Sequence, residues 1–75
     1  MAFADAETPT GTVNGVNDTF TLANAPSPAG SLELYKNGLL QLAAGTDYTL
    51  TTSTIVYAAA AIPQAGDVHR AWYRY

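Results

Sequence analysis

Turn-forming residues divide this 75-residue chain into segments too short for an amphipathic helix. The strongest turn is predicted at Asn37-Gly38, because this pair between apolar runs favours a type I′ turn. Pro26 and Pro28 keep a central strand out of the loop over 23–30, because proline has no backbone N–H to donate. Further turns are predicted over 14–18, 43–47 and 52–53. The chain is therefore expected to fold as short strands joined by tight turns.

The segments between these turns alternate apolar and polar residues with the period of two that is typical of a β-strand. The predicted strands cover residues 12–13, 19–22, 31–36, 39–42, 48–51, 54–57 and 68–75. The first two are expected to form a hairpin, and 58–67 a long loop with one turn of 3₁₀-helix, because four alanines are too few for a helix. The predicted class is all-β: a small antiparallel β-sandwich or barrel of six to seven short strands with an extended N-terminal arm.

The length accommodates one domain, predicted over 12–75 and preceded by an arm over 1–11. Phe3 is the only large apolar side chain in the arm after Met1. It could dock into a neighbouring subunit, or the arm could be a frayed terminus; the sequence leaves both readings open.

No residue pattern indicates an enzyme, a cofactor or a metal site. The chain has no cysteine and a single histidine, His69, which excludes disulfides and multi-histidine metal sites. His69 has no serine nucleophile beside it, and it is predicted to be an exposed or interface residue of the last strand. The isolated glycines form no phosphate-binding loop. Asp18, Asp47 and Asp67 each precede a strand and are expected to cap turns rather than bind calcium.

Charge and composition bear on the partners. Three basic against six acidic residues give a net charge of −3, which opposes nucleic-acid binding. No apolar run approaches the roughly 20 residues of a membrane span, and no secretory signal is visible. A small domain that is 48% apolar and 12% charged gains stability by assembly, so a homo-oligomer or a docked subunit is expected. A trimer is possible, although no interface pattern demonstrates one.

The last predicted strand is rich in aromatic residues and arginine. One face would carry Val68, Arg70, Trp72 and Arg74, and the other His69, Ala71, Tyr73 and Tyr75. Tyr73 and Val68 are expected to be half-buried strand residues, and Trp72 and Arg74 to serve an interface. Stacking on a sugar remains an alternative. The predicted interface residues are Phe3, Leu39, Leu40, Trp72 and Arg74.

Residues 10–75 resemble a small β module of tailed-bacteriophage virion proteins. The resemblance is carried by VNGVNDTFTLANAP (13–26), LELYKNGLLQ (32–41), GTDYTL (45–50), the IP and AGD of 62–67, and the final YRY (73–75). It implies a non-enzymatic structural protein of the virion, assembled in the host cytoplasm, and it brings no catalytic residues.

Within that resemblance, the leading hypothesis is a capsid decoration (cement) protein. It would bind the major capsid protein lattice or other virion proteins and stabilise the head, multiplying weak contacts by avidity. One alternative is a tail or head-fibre module that binds a host receptor or glycan. Another is a connector or tail adaptor subunit.

Overall fold

The computed structural model describes residues 2–43 and 46–75. This part of the chain forms seven strands and two single-turn 3₁₀-helices, Ala29–Ser31 and Ala59–Ala61. The strands are β1 (Phe3–Glu7), β2 (Thr19–Thr21), β3 (Glu33–Lys36), β4 (Leu39–Leu40), β5 (Tyr48–Thr51), β6 (Thr54–Tyr57) and β7 (His69–Arg74).

The strands form two antiparallel sheets. The larger sheet has the order β1-β7-β3-β4, and the smaller sheet has the order β2-β6-β5. Both sheets contribute buried side chains to a single core, which explains why residues of opposite character alternate along each strand. The predicted all-β class, a small antiparallel sandwich of short strands, is confirmed.

The two predicted two-residue hairpin turns are present. Asn37 and Gly38 join β3 to β4 with φ angles of 54° and 83°, the doubly positive pair of a type I′ turn. Residues 52–53 join β5 to β6, and there Thr52 has a φ of 54°.

The hairpin predicted between 12–13 and 19–22 is wrong. Residues 12–13 form no strand, and β2 pairs with β6 instead. The other side of β2 is met by Thr10, which forms an isolated bridge with Thr21.

Side chains of the turn over 14–18 explain this difference. Asn14 Oδ1 accepts hydrogen bonds from the backbone N–H groups of Val16 and Asn17, each at 2.9 Å. Asn17 Nδ2 donates to the backbone oxygens of Thr12 and Thr19, at 3.2 and 3.0 Å. The asparagine amide therefore connects the two segments where a strand ladder would have done so.

Residues 3–7 of the arm are extended, and they pair with β7 of the same chain. Phe3 lies opposite Arg74, and Ala4 lies opposite Tyr73. The Glu7 carboxylate accepts hydrogen bonds from the Tyr73 hydroxyl at 2.5 Å and from Ala23 N–H at 2.8 Å. The segment expected to project as an arm is thus the edge strand of the larger sheet.

The core lies between the sheets and is centred on Phe20, whose side chain is fully buried. Its ring meets the Tyr57 ring edge-to-face at a centroid distance of 5.6 Å. Burying a side chain of this size contributes about 2–3 kcal/mol. The buried apolar residues are Phe20, Leu22, Leu32, Leu34, Tyr48, Ile55, Tyr57, Ala61, Ala71 and Tyr73.

Gly11 is expected to be indispensable because the backbone there passes directly against Phe20. A Cβ at Gly11 would lie 2.5 Å from Phe20 Cδ2, and the glycine has a φ of +153°. We expect Gly11→Ala to lower the free energy of unfolding by about 2 kcal/mol, through overpacking and backbone strain. Urea denaturation measures the change. Gly30→Ala is the matched control, because its Cβ would meet nothing within 4 Å; equal losses in both variants would contradict the argument.

Candidate docking surface

The outward face of the larger sheet collects aromatic residues and both arginines of the chain. Along β7, His69, Ala71 and Tyr73 point into the core, while Arg70, Trp72 and Arg74 point outward. Cross-strand register adds Tyr35 opposite Arg70, Leu40 opposite Tyr35, and Phe3 opposite Arg74. We call this surface the aromatic–arginine face: Phe3, Tyr35, Leu40, Arg70, Trp72 and Arg74.

An aromatic pair forms the centre of this face. The Tyr35 and Trp72 rings meet edge-to-face at a centroid distance of 5.4 Å and an interplanar angle of 85°. Together with Asn37, Val68 and Arg70 they line an open hollow of about 330 Å³. The Arg70 Nη1 donates to the backbone oxygen of His69 at 2.9 Å, which holds the guanidinium beside the hollow.

Trp72 separates this hollow from a second, shallower one of about 190 Å³, lined in part by Phe3, Asp5, Glu33 and Arg74. Phe3 is 66% exposed and Trp72 is 37% exposed. The face therefore offers apolar surface between charged groups of both signs, which is the composition of a protein interface rather than of an ordinary solvated sheet.

Four of the five predicted interface residues lie on this face: Phe3, Leu40, Trp72 and Arg74. Leu39 does not join them. It lies opposite Lys36, whose partner on β7 is the inward-facing His69, so Leu39 belongs to the other side of the sheet although it is 70% exposed.

Sequence reasoning did not nominate Tyr35 or Arg70 for the interface. Arg70 carried a signal, since it alternates with Trp72 and Arg74 along one strand. Tyr35 carried one only through the pairing of β3 with β7, which is a long-range contact. Val68 was expected to be half-buried and is exposed at the rim of the larger hollow, because β7 begins only at His69. Tyr73 is buried, more deeply than the half-buried position expected for it.

The outward face of the smaller sheet is different in character. It carries no charged residue, and its six strand positions are Thr19, Thr21, Thr49, Thr51, Thr54 and Val56. We call it the threonine face.

His69 is not an exposed or interface residue, and that prediction is wrong. It is 2% exposed, because the inward side of β7 places its ring against Phe20, at a centroid distance of 4.7 Å. Its Nδ1 lies 3.0 Å from the Tyr57 hydroxyl oxygen, and its Nε2 has no hydrogen-bond partner among the described residues. Burial, together with the charge of Arg70, lowers the pKa of His69.

The turn aspartates hold backbone, as predicted. Asp67 accepts hydrogen bonds from Asn37 Nδ2 at 2.9 Å and from Gln64 N–H at 2.8 Å, and these bonds lower its pKa. Asp47 accepts from Leu42 N–H at 2.7 Å. Over 2–43 and 46–75, no three histidine, cysteine, aspartate or glutamate side chains cluster as metal ligands would.

Comparison with protein-family models, curated proteins and solved structures found no match for this chain. Within the described ranges, no helix is long and apolar enough to cross a membrane.

Acid is expected to destabilise the fold through His69. Its pKa in the folded chain lies below the ordinary 6.5, so the unfolded chain binds the proton more tightly. The free energy of unfolding is then full above pH 6.5 and falls as the pH drops from 6.5 toward the folded pKa. The loss is about 1.4 kcal/mol for each unit that separates the two pKa values. Urea denaturation between pH 7.5 and about pH 5 measures it.

The control for this prediction removes both buried polar partners. Tyr57→Phe with His69→Phe replaces the pair by apolar rings of similar shape, so no buried donor or acceptor is left alone. This double variant should lose the pH dependence near 6. The Asp67 carboxyl does not interfere, because its pKa is lowered from 3.8 and it titrates at more acidic pH. An unchanged slope in the double variant would show that another group is responsible.

Proposed function

We propose that this chain is a non-enzymatic virion structural protein, and specifically a capsid decoration protein. Its aromatic–arginine face would dock onto the major capsid protein lattice and stabilise the head. The observation that carries the proposal is the gathering of Phe3, Leu40, Trp72 and Arg74 on one sheet face from three different strands. The phage-like residue pattern over 10–75 supplies the identity of the lattice.

The asymmetry between the two outward faces supports docking through the larger sheet. Apolar side chains flanked by arginine are the groups that contribute most to protein interfaces. The threonine face has no aromatic residue and no charge. A partner surface that offers apolar groups beside carboxylates would satisfy Arg70 and Arg74 at the same time.

The chemistry of the buried groups supports a non-catalytic role. His69 is the only histidine, and it lies in the core against Phe20 and Tyr57. Substrate cannot reach a ring that is 2% exposed, and the Tyr57 hydroxyl beside it is buried as well. Neither group therefore serves as an acid or base toward a substrate in this fold.

A capsid lattice would also suit the small size of the chain. A domain of 75 residues buries a modest share of its surface, and a docked face adds to that share. Many identical sites on one shell convert weak single contacts into stable occupancy.

A second candidate function rests on the Tyr35–Trp72 pair. A hollow of about 330 Å³ with an exposed indole and a guanidinium beside it has the size and the groups to hold one sugar ring. The module would then bind a host glycan from a tail or head fibre. A connector or tail adaptor would use the same face on another virion protein.

Immunogold electron microscopy of particles from the source culture, with antibody against this chain, tests the location. We expect dense label over the heads, because a decoration protein occupies sites across the whole shell. Label confined to the tails or their tips would overturn the decoration proposal in favour of the fibre or adaptor alternatives. Binding of the wild type on a glycan array, lost in Trp72→Ala, would favour the fibre.

The adjacent leucines of β4 give a matched test of the docking face. Leu40 is 50% exposed on the aromatic–arginine face, and Leu39 is exposed on the other side of the sheet. We expect Leu40→Ser to weaken binding to purified heads about tenfold, the usual loss for a buried interface side chain. Leu39→Ser should leave binding unchanged. Co-sedimentation of each variant with heads measures both, and equal losses would contradict docking through this face.

A further inference from the structure

The two sheets have four edge strands: β1 and β4 in the larger sheet, and β2 and β5 in the smaller. An edge strand presents backbone N–H and C=O groups without partners, and it pairs with another chain unless something prevents this. Natural folds prevent it with charged side chains, irregular backbone, very short strands or a covering segment.

Three of the four edges are protected in these ways. β1 carries Asp5 and Glu7, and its register with β7 shifts near Ala6, whose φ is 55°. β4 is only two residues long. β2 is covered by Thr10, which exchanges two backbone hydrogen bonds with Thr21, at 2.8 and 2.9 Å.

The edge at β5 has none of these protections. It contains no charged residue and no proline, and its register with β6 is regular from Tyr48 to Thr51. Thr51 and Thr54 flank the two-residue turn, so the backbone groups of Thr51 and Thr49 point toward β6. Those of Leu50 point outward, toward the open edge.

An apolar hollow lies beside this edge. It has a volume of about 260 Å³ and is lined by Ala29, Gly30, Ala43, Tyr48, Thr49 and Leu50. The Leu50 side chain is half-buried at its rim. A strand added to β5 would therefore gain backbone hydrogen bonds and a site for an apolar side chain.

We propose that a second copy of this chain pairs antiparallel with β5, about a two-fold axis through Leu50. The two three-stranded sheets then merge into one of six strands. Each Leu50 exchanges backbone hydrogen bonds with the Leu50 of the other copy, and its side chain enters the apolar hollow there. A two-fold pairing uses the same edge on both copies, so it closes at a dimer.

The sequence of β5 favours a second copy over an unrelated strand. It is symmetric about Leu50, with Thr49 before it and Thr51 after it. In an antiparallel pair about this axis, Thr49 of each copy lies opposite Thr51 of the other, on the same face of the sheet. Opposed threonines stabilise an antiparallel pair, and the threonine face continues unbroken across the junction.

This inference goes beyond the proposed function and does not depend on it. The docking face lies on the larger sheet, whereas β5 is an edge of the smaller sheet. The isolated chain in solution is sufficient to test it, so failure of capsid docking and failure of dimerisation are separate results.

The first experiment uses sedimentation velocity over a range of concentrations. We expect the wild type to form a concentration-dependent dimer. Thr49→Lys with Thr51→Lys places two pairs of lysines directly across the axis, so the dissociation constant should rise at least about tenfold. A wild type that stays monomeric up to about 1 mM, or that forms a trimer, would overturn the proposal.

The second variant tests the register. Thr49→Lys with Thr51→Glu sets each introduced lysine against an introduced glutamate of the other copy, so the dimer should return to near wild-type affinity. An axis through Thr49 would oppose the introduced lysines and give no recovery, which would overturn pairing about Leu50.

The control is Thr19→Lys, on the same threonine face but on β2, away from the open edge. Its dimer should match the wild type, and dissociation of this control would overturn the assignment to the β5 edge. Circular dichroism and urea denaturation verify that each variant is folded.

Discussion

The alternation of side chains along β7 determines both the core and the docking surface. This strand lies inside the larger sheet and pairs with β1 on one side and β3 on the other. His69, Ala71 and Tyr73 fill the space beneath the sheet, while Arg70, Trp72 and Arg74 stand above it. A one-residue slip of β7 would exchange the two sets and put arginines in the core. The packing of three inward residues therefore fixes where the interface groups lie.

Features encoded by neighbouring residues could be predicted from the sequence. The turn at Asn37-Gly38 was predictable because only a few residue pairs accept two successive positive φ angles. The capping roles of Asp47 and Asp67 were predictable because a carboxylate in a turn finds nearby N–H groups. The two faces of the last strand followed from its period of two. Most of the docking face was predicted on the same ground, since Trp72 and Arg74 share that period.

Features that depend on distant pairing could not be read in this way. The pairing of β1 with β7 joins Phe3 to Arg74, and nothing near Phe3 in the sequence encodes it. The same pairing of remote strands places Tyr35 beside Trp72. The burial of His69 depends on Phe20 and Tyr57, which arrive from the other sheet. The expected strand at 12–13 failed for a local reason, because the Asn17 amide occupies the backbone groups that a ladder would have used.

The β1–β7 pairing also brings the two chain ends together. Ala2 and Tyr75 exchange both backbone hydrogen bonds, at 2.8 and 2.9 Å, so their Cα atoms are about 5.5 Å apart. Such a fold can be set into a surface loop of a larger host protein with little disturbance, because the loop needs only to open by the spacing of two strands. The same closeness makes the chain suitable for circular permutation. New ends placed in an exposed turn, with Ala2 and Tyr75 joined by a short linker, would leave both sheets intact.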